Sequence, residues 1–261
     1  MIQHVPDILS RIVADKRRVL ETVYSRRKEL EEAAADRVGE RRDFRASLVA
    51  NPPSIISEIK KASPSKGVLS EDFRPVEIAQ AYEAGGAAAM SVLTDENYFR
   101  GSLADLEAAR AAVELPALRK DFTIDQIHVI EAAAHGADAI LLIAAVLSVA
   151  EMRSFRELAA SYNMAALVEV HSEDELLAAL ESGAEIVGVN NRNLQTFEVT
   201  LDTSMRLAAK MPAELVKVAE SGIHSAEDVR RLRQAGFQAF LVGEHLMRSG
   251  DPAGALRALR S

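Results

Sequence analysis

Eight short runs of aliphatic and β-branched residues punctuate the chain, near 55–60, 87–93, 116–120, 138–143, 165–170, 186–190, 215–220 and 239–242, and a helical pattern follows each. No tight hairpin signal joins neighbouring runs, so successive strands return through a helix and lie parallel. Eight such α/β units can close into a (β/α)8 TIM barrel ringed by helices. A doubly wound open sheet is the competing architecture. The glycines favour the barrel: Gly86-Ala87, Gly136-Ala137, Gly183-Ala184 and Gly236-Phe237 each stand between a helical pattern and an apolar run. A glycine there caps a helix and turns it into a strand, so the repeat is a pair of βα units, and four pairs make eight strands. At 261 residues the chain is expected to be one domain, residues 1–261, with a helical extension over 1–50 and the barrel over 54–261.

The extension is dense in Arg, Lys and Glu. An apolar stripe at Ile8, Ile12, Val19 and Val23, and again at Leu30, has helical spacing and predicts amphipathic helix with a solvated charged face. Asn51-Pro52-Pro53 stops helix before the first strand. Met1 to Arg18 holds no apolar core of a signal peptide, and the longest apolar run, Ala139 to Leu147, is far shorter than a bilayer span. A cytoplasmic location and no membrane partner are therefore expected.

The first run ends in charge. In Ser54-Ile55-Ile56-Ser57-Glu58-Ile59-Lys60, alternation puts Ile56, Glu58 and Lys60 on one face. A charge set against apolar neighbours must be paired or solvated, and the end of a barrel strand, opening onto a substrate, tolerates it. An incidental surface ion pair is the plain alternative. The same ending recurs at Arg119-Lys120-Asp121-Phe122, Leu167-Val168-Glu169-Val170 and Val218-Ala219-Glu220-Ser221-Gly222, while Asn190 and Arg192 share a face after the sixth run. In a barrel all strand carboxyl ends ring one mouth, so Glu58, Lys60, Lys120, Glu169, Asn190, Arg192 and Glu220 are expected to converge. Lysines and carboxylates in one partly dehydrated cavity shift one another's pKa values, which suits general acid/base catalysis.

A second signal follows the last two strands. Ser221-Gly222-Ile223 and Val242-Gly243-Glu244 place glycines where backbone N–H groups can approach an anion, and barrels often bind phosphate there. Zero cysteines exclude thiolate chemistry. Six histidines, at 4, 128, 135, 171, 224 and 245, include no H-E-x-x-H or close pair, so no metal site is expected; His171 follows Glu169 on the same strand face. The dinucleotide and P-loop glycine fingerprints are absent. A formal net charge of −8 argues against nucleic acid as a partner and asks any anionic substrate to find a locally basic pocket.

Five segments taken together resemble the indole-3-glycerol-phosphate synthase family over essentially the whole chain: Glu58 to Gly67, Ser91-Val92-Leu93-Thr94, Arg119-Lys120-Asp121-Phe122, Val189-Asn190-Asn191-Arg192 and Glu220-Ser221-Gly222-Ile223. That resemblance implies a carboxy-lyase of tryptophan biosynthesis that needs no cofactor. It would close 1-(2-carboxyphenylamino)-1-deoxyribulose 5-phosphate, a small anionic phosphosugar, to indole-3-glycerol phosphate with loss of carbon dioxide and water. It further implies Lys120 as general acid and Glu169 in the dehydration, with Lys60 the other candidate acid; which lysine makes which protonation stays open. Glu58, Asn190 and Glu220 would belong to the catalytic set with them. Ser65, Arg192, Ser221, Gly222, Gly243 and Glu244 would bind substrate and phosphate, and Phe99 and Phe122 would wall the aromatic ring. Ala219 and His245 depart from the family's common residues beside the phosphate turn. The chain ends soon after the eighth unit, so a monofunctional enzyme is expected; a monomer is expected as well. Phosphoribosylanthranilate isomerase, a related barrel, would ordinarily use a Cys/Asp pair, against which the lack of cysteine counts. A silent scaffold barrel would have lost its polar strand ends.

Overall fold

The computed structural model describes residues 7–64 and 66–261, so the expectations for His4 and Ser65 lie outside the described residues. Eight parallel strands form a closed barrel: β1 (Ser54–Ile59), β2 (Ala89–Leu93), β3 (Ala117–Lys120), β4 (Ala139–Ile143), β5 (Ala165–Val170), β6 (Ile186–Asn190), β7 (Val216–Glu220) and β8 (Ala239–Val242). Each neighbours the next in sequence, and β8 returns to β1 with Ser54 opposite Ala239. The open sheet is thereby excluded, because it would leave β1 and β8 with free edges.

Alternation divides every strand between two cores. Ile56, Leu118, Leu141, Leu167, Val218 and Leu241 fill the barrel interior, while Ile55, Val92, Ile140, Val168, Val187 and Phe240 pack outward on the helices. Serine and aspartate N-caps start the outer helices, with reciprocal capping boxes at Ser148/Glu151 and Ser225/Asp228. The four repeat glycines end them at φ +84°, +81°, +83° and +99°, a left-handed turn that glycine adopts without a Cβ penalty. At Gly86 the turn closes with Gly86 N–H donating to Glu83 O (2.9 Å) and Ala87 N–H to Tyr82 O (3.0 Å).

The extension is three helices: α1 (Asp7–Tyr24), α2 (Arg27–Asp36) and α3 (Phe44–Ala50). α3 plugs the amino end of the barrel with Phe44 and Leu48, both buried in the interior core. The expected stripe needs one correction. Val19 is 46% exposed, and the inward row of α1 instead runs through Leu9, Ile12, Val13, Lys16, Leu20 and Val23. Helical geometry explains it: Leu20, not Val19, stands two turns plus one residue after Ile12 and one turn after Lys16. No described helix is long and apolar enough to cross a membrane.

Candidate active site at the carboxyl end of the barrel

Parity carries the apolar interior into a polar mouth. Two residues beyond Ile56, Leu118, Leu167 and Val218 come Glu58, Lys120, Glu169 and Glu220, on the same inward faces. The Lys120 ammonium donates to Glu169 Oε2 at 2.9 Å and to Glu220 Oε2 at 2.7 Å. Lys60 pairs with Glu58, and Tyr82 donates its hydroxyl to the Glu58 carbonyl at 3.0 Å. Asn190 hydrogen-bonds Glu169, and His171 stands behind it, Nε2 3.4 Å from Glu169 Oε1 and Nδ1 3.1 Å from Glu175 Oε2.

These groups move one another's proton affinity in different directions. Burial disfavours the charge on Lys120, but Glu169, Glu220 and Glu58 outweigh it and hold its pKa above the ordinary lysine value. Burial also acts against ionised Glu169, and there Lys120 and His171 win, drawing its pKa down. For Glu220 burial wins, helped by the Glu169 charge, and its pKa rises. One ammonium thus faces one firm carboxylate and one carboxyl pushed toward its neutral form, an arrangement that can give and take protons near neutrality.

Gly188 makes this packing possible. A Cβ on that β6 glycine would run into Glu220 Oε1. Sequence reading passed over this position; a glycine inside an otherwise β-branched strand was the available signal.

The mouth is a cavity of ≈ 660 Å³, the size of a small-molecule site. Phe99 and Phe122 form one wall, ring centroids 6.2 Å apart and tilted 39°. Ile8, Leu9 and Ile12 of α1 line the same cavity, so the extension contributes to the site. Arg192 lines it from the loop after β6, which folds back through a bridge to Val199. Ser221, Gly222, Gly243 and Glu244 line the far side with His224 and His245, whose rings meet edge-on at 6.1 Å. Ser221 and Gly222 both have positive φ, +65° and +76°. The glycines also leave room for neighbouring side chains. A Cβ at Gly222 would come within 2.6 Å of Val199 Cγ1, and one at Gly243 would strike the Glu58 carboxylate. Lys66, from the loop after β1, reaches Glu244 at 3.6 Å and ties that loop to the last turn.

A family model described as indole-3-glycerol phosphate synthase matches residues 9–259. Curated relatives of that name include those of Polaromonas naphthalenivorans, 51% identical over 97% of this chain and 98% of the relative, and Chromobacterium violaceum, 50% identical over 97% of each. Solved structures similar to the chain include thiamine phosphate pyrophosphorylase from Pyrococcus furiosus (TM-score 0.60, 19% identity, 79% of this chain and 93% of that one). A 3-hexulose-6-phosphate synthase is also similar (TM-score 0.63, 16% identity, 79% and 98%). At those identities the structural likeness speaks for the barrel fold alone.

Proposed function

The chain belongs to the indole-3-glycerol phosphate synthase family, and from that membership we propose how its barrel mouth performs the family's reaction. That reaction is the carboxy-lyase step of tryptophan biosynthesis, closing 1-(2-carboxyphenylamino)-1-deoxyribulose 5-phosphate to indole-3-glycerol phosphate. The observation that carries the residue assignments is the Lys120 ammonium, charged and held between Glu169 and Glu220 at the mouth. Lys120 gives a proton to the ketose oxygen, making its carbon electrophilic, and the ring carbon bearing the carboxylate attacks to form the new carbon–carbon bond. Carbon dioxide leaves, its bonding electrons restoring the aromatic ring. The nitrogen lone pair then expels the hydroxyl as water once an acid, Lys60 or Lys120, protonates it. Glu169 removes the proton left on the neighbouring carbon.

Glu58 and Asn190 orient Lys60 and Glu169, and Glu220 tunes the lysine between the two carboxyls. The substrate phosphate lies against the turns at Ser221-Gly222 and Gly243-Glu244, with Arg192 nearby, and the aryl ring lies between Phe99, Phe122 and α1; Ser65 is assigned to substrate binding from the family membership alone. No cofactor enters. A phosphorylated substrate does not cross bilayers, which supports action in the cytoplasm where it is made, without nucleic acid or membrane. The chain is proposed to work as a monomer and as a single 1–261 domain. The test is to incubate purified protein with the carboxyphenylamino substrate and follow indole fluorescence, unobscured because the chain has no tryptophan. No fluorescence gain under conditions where a family member turns over would overturn the reading.

A further inference from the structure

The inward row of α1 does not stay apolar. One turn beyond Ile12 the row reaches Lys16, whose side chain is only 16% exposed and whose ammonium lies 2.6 Å from Asp121 Oδ1 and 3.1 Å from Asp95 Oδ2. Both carboxylates are almost fully buried and follow adjacent strands, β2 and β3. Each also holds a backbone. Asp95 Oδ1 accepts from Tyr98 N–H at 2.7 Å and caps the short helix Glu96–Phe99; Asp121 Oδ1 accepts from Phe122 N–H at 2.7 Å. Asp121 Oδ2 is occupied separately, by the Thr94 hydroxyl at 2.7 Å and Arg119 Nη2 at 3.2 Å.

One ammonium therefore joins the three parts of a single wall: the α1 row, the segment bearing Phe99 and the segment bearing Phe122. We propose that Lys16 is the positioning residue of the aryl end of the pocket, setting the register of α1 against the two phenylalanines; this rests on the reading that the substrate ring lies there. It touches neither substrate nor the reacting atoms. Its loss would leave Asp95 without the cation that neutralises it and Asp121 with Arg119 alone, and the wall would relax outward by small distances. Displacements of that size at a binding wall suffice to weaken binding and misalign reacting atoms. The phosphate turns after β7 and β8 are held by other contacts, so they should not feel the change.

The experiment uses full-length Lys16→Met, Lys16→Arg and Asp95→Asn, each checked for folding by circular dichroism. Two competitive probes divide the pocket: anthranilate, which carries the ring without phosphate, and inorganic phosphate. Lys16→Met should raise substrate KM and the anthranilate inhibition constant by about tenfold or more, with a smaller fall in kcat and an unchanged phosphate inhibition constant. Asp95→Asn should do the same more weakly, and Lys16→Arg, whose fork can reach both carboxylates, should restore most of the binding. Wild-type KM and anthranilate inhibition in folded Lys16→Met would overturn the proposal, as would a phosphate constant that weakens in step. Anthranilate failing to compete in the wild-type enzyme would remove the aryl wall itself, a distinguishable failure.

Discussion

At the residue scale, Lys120 and Glu169 bear the chemistry proposed for this mouth. Lys120→Ala and Glu169→Gln should each lower kcat by roughly 10² to 10⁴, the usual loss for a positioned acid or base, with substrate affinity changing less. Steady-state kinetics on folded variants would check this, and near-wild-type turnover would take that residue out of the mechanism. Gly188→Ala is a subtler probe. Its new methyl group displaces the Glu220 carboxylate that Lys120 grips, so kcat should fall about tenfold or more while the circular dichroism spectrum stays that of the native fold. Strand parity alone was enough to foresee that Glu58, Lys60, Lys120, Glu169 and Glu220 share one cavity. Lys16 was not foreseen, because a lysine within an apolar row reads as solvated unless the buried carboxylates it meets, brought from about 80 and 105 positions further on, are known to be there. Gly222 and Gly243 were noticed as turns open to an anion, but a sequence does not show that Val199 and Glu58 also press against them.

At the scale of elements, the strands lie within two or three residues of where their composition put them, and the extension is where the pattern was least informative. Its apolar stripe marked helix but not that α3 would turn under the barrel as a plug. Leu48 is fully buried there against the interior core, and Asp43 caps the helix by accepting from Ala46 N–H at 2.8 Å. Leu48→Ala should therefore cost about 2–5 kcal/mol, read from urea denaturation, and leave kcat intact because the cavity lies at the opposite end. The loop after β1 behaves differently. The ion pair that ties it to the turn after β8, Lys66 with Glu244, is about half exposed on the lysine side and so weak. Lys66→Ala should leave stability unchanged but alter KM or product release, which comparison of steady-state with single-turnover rates would detect.

At the scale of the whole molecule, pH should act mainly through burial near the mouth. Burial, followed by the Arg119 charge, lowers His128 to about 4 from 6.5. Burial opposes ionised Asp121, but Arg119 and Lys16 outweigh it and hold its carboxyl well below the usual range. Both groups have depressed pKa values in the folded state, so both contributions are complete at higher pH and are lost on acidification; for His128 the loss runs from about 6.5 down to about 4. That histidine alone accounts for roughly 3 kcal/mol across the window, and thermal melts should show Tm falling there in wild type and less steeply in His128→Leu. Closure of the sheet has a further effect, on synthesis. β1 takes its final partner, β8, only after residues 60–238 have been made, so the growing chain carries an unpaired strand edge for almost the whole of its translation. Until β8 emerges, that edge is open to pairing with another chain's. A stop codon just before β8 would yield two permanent edges, and with them a product that aggregates instead of one that is merely inactive.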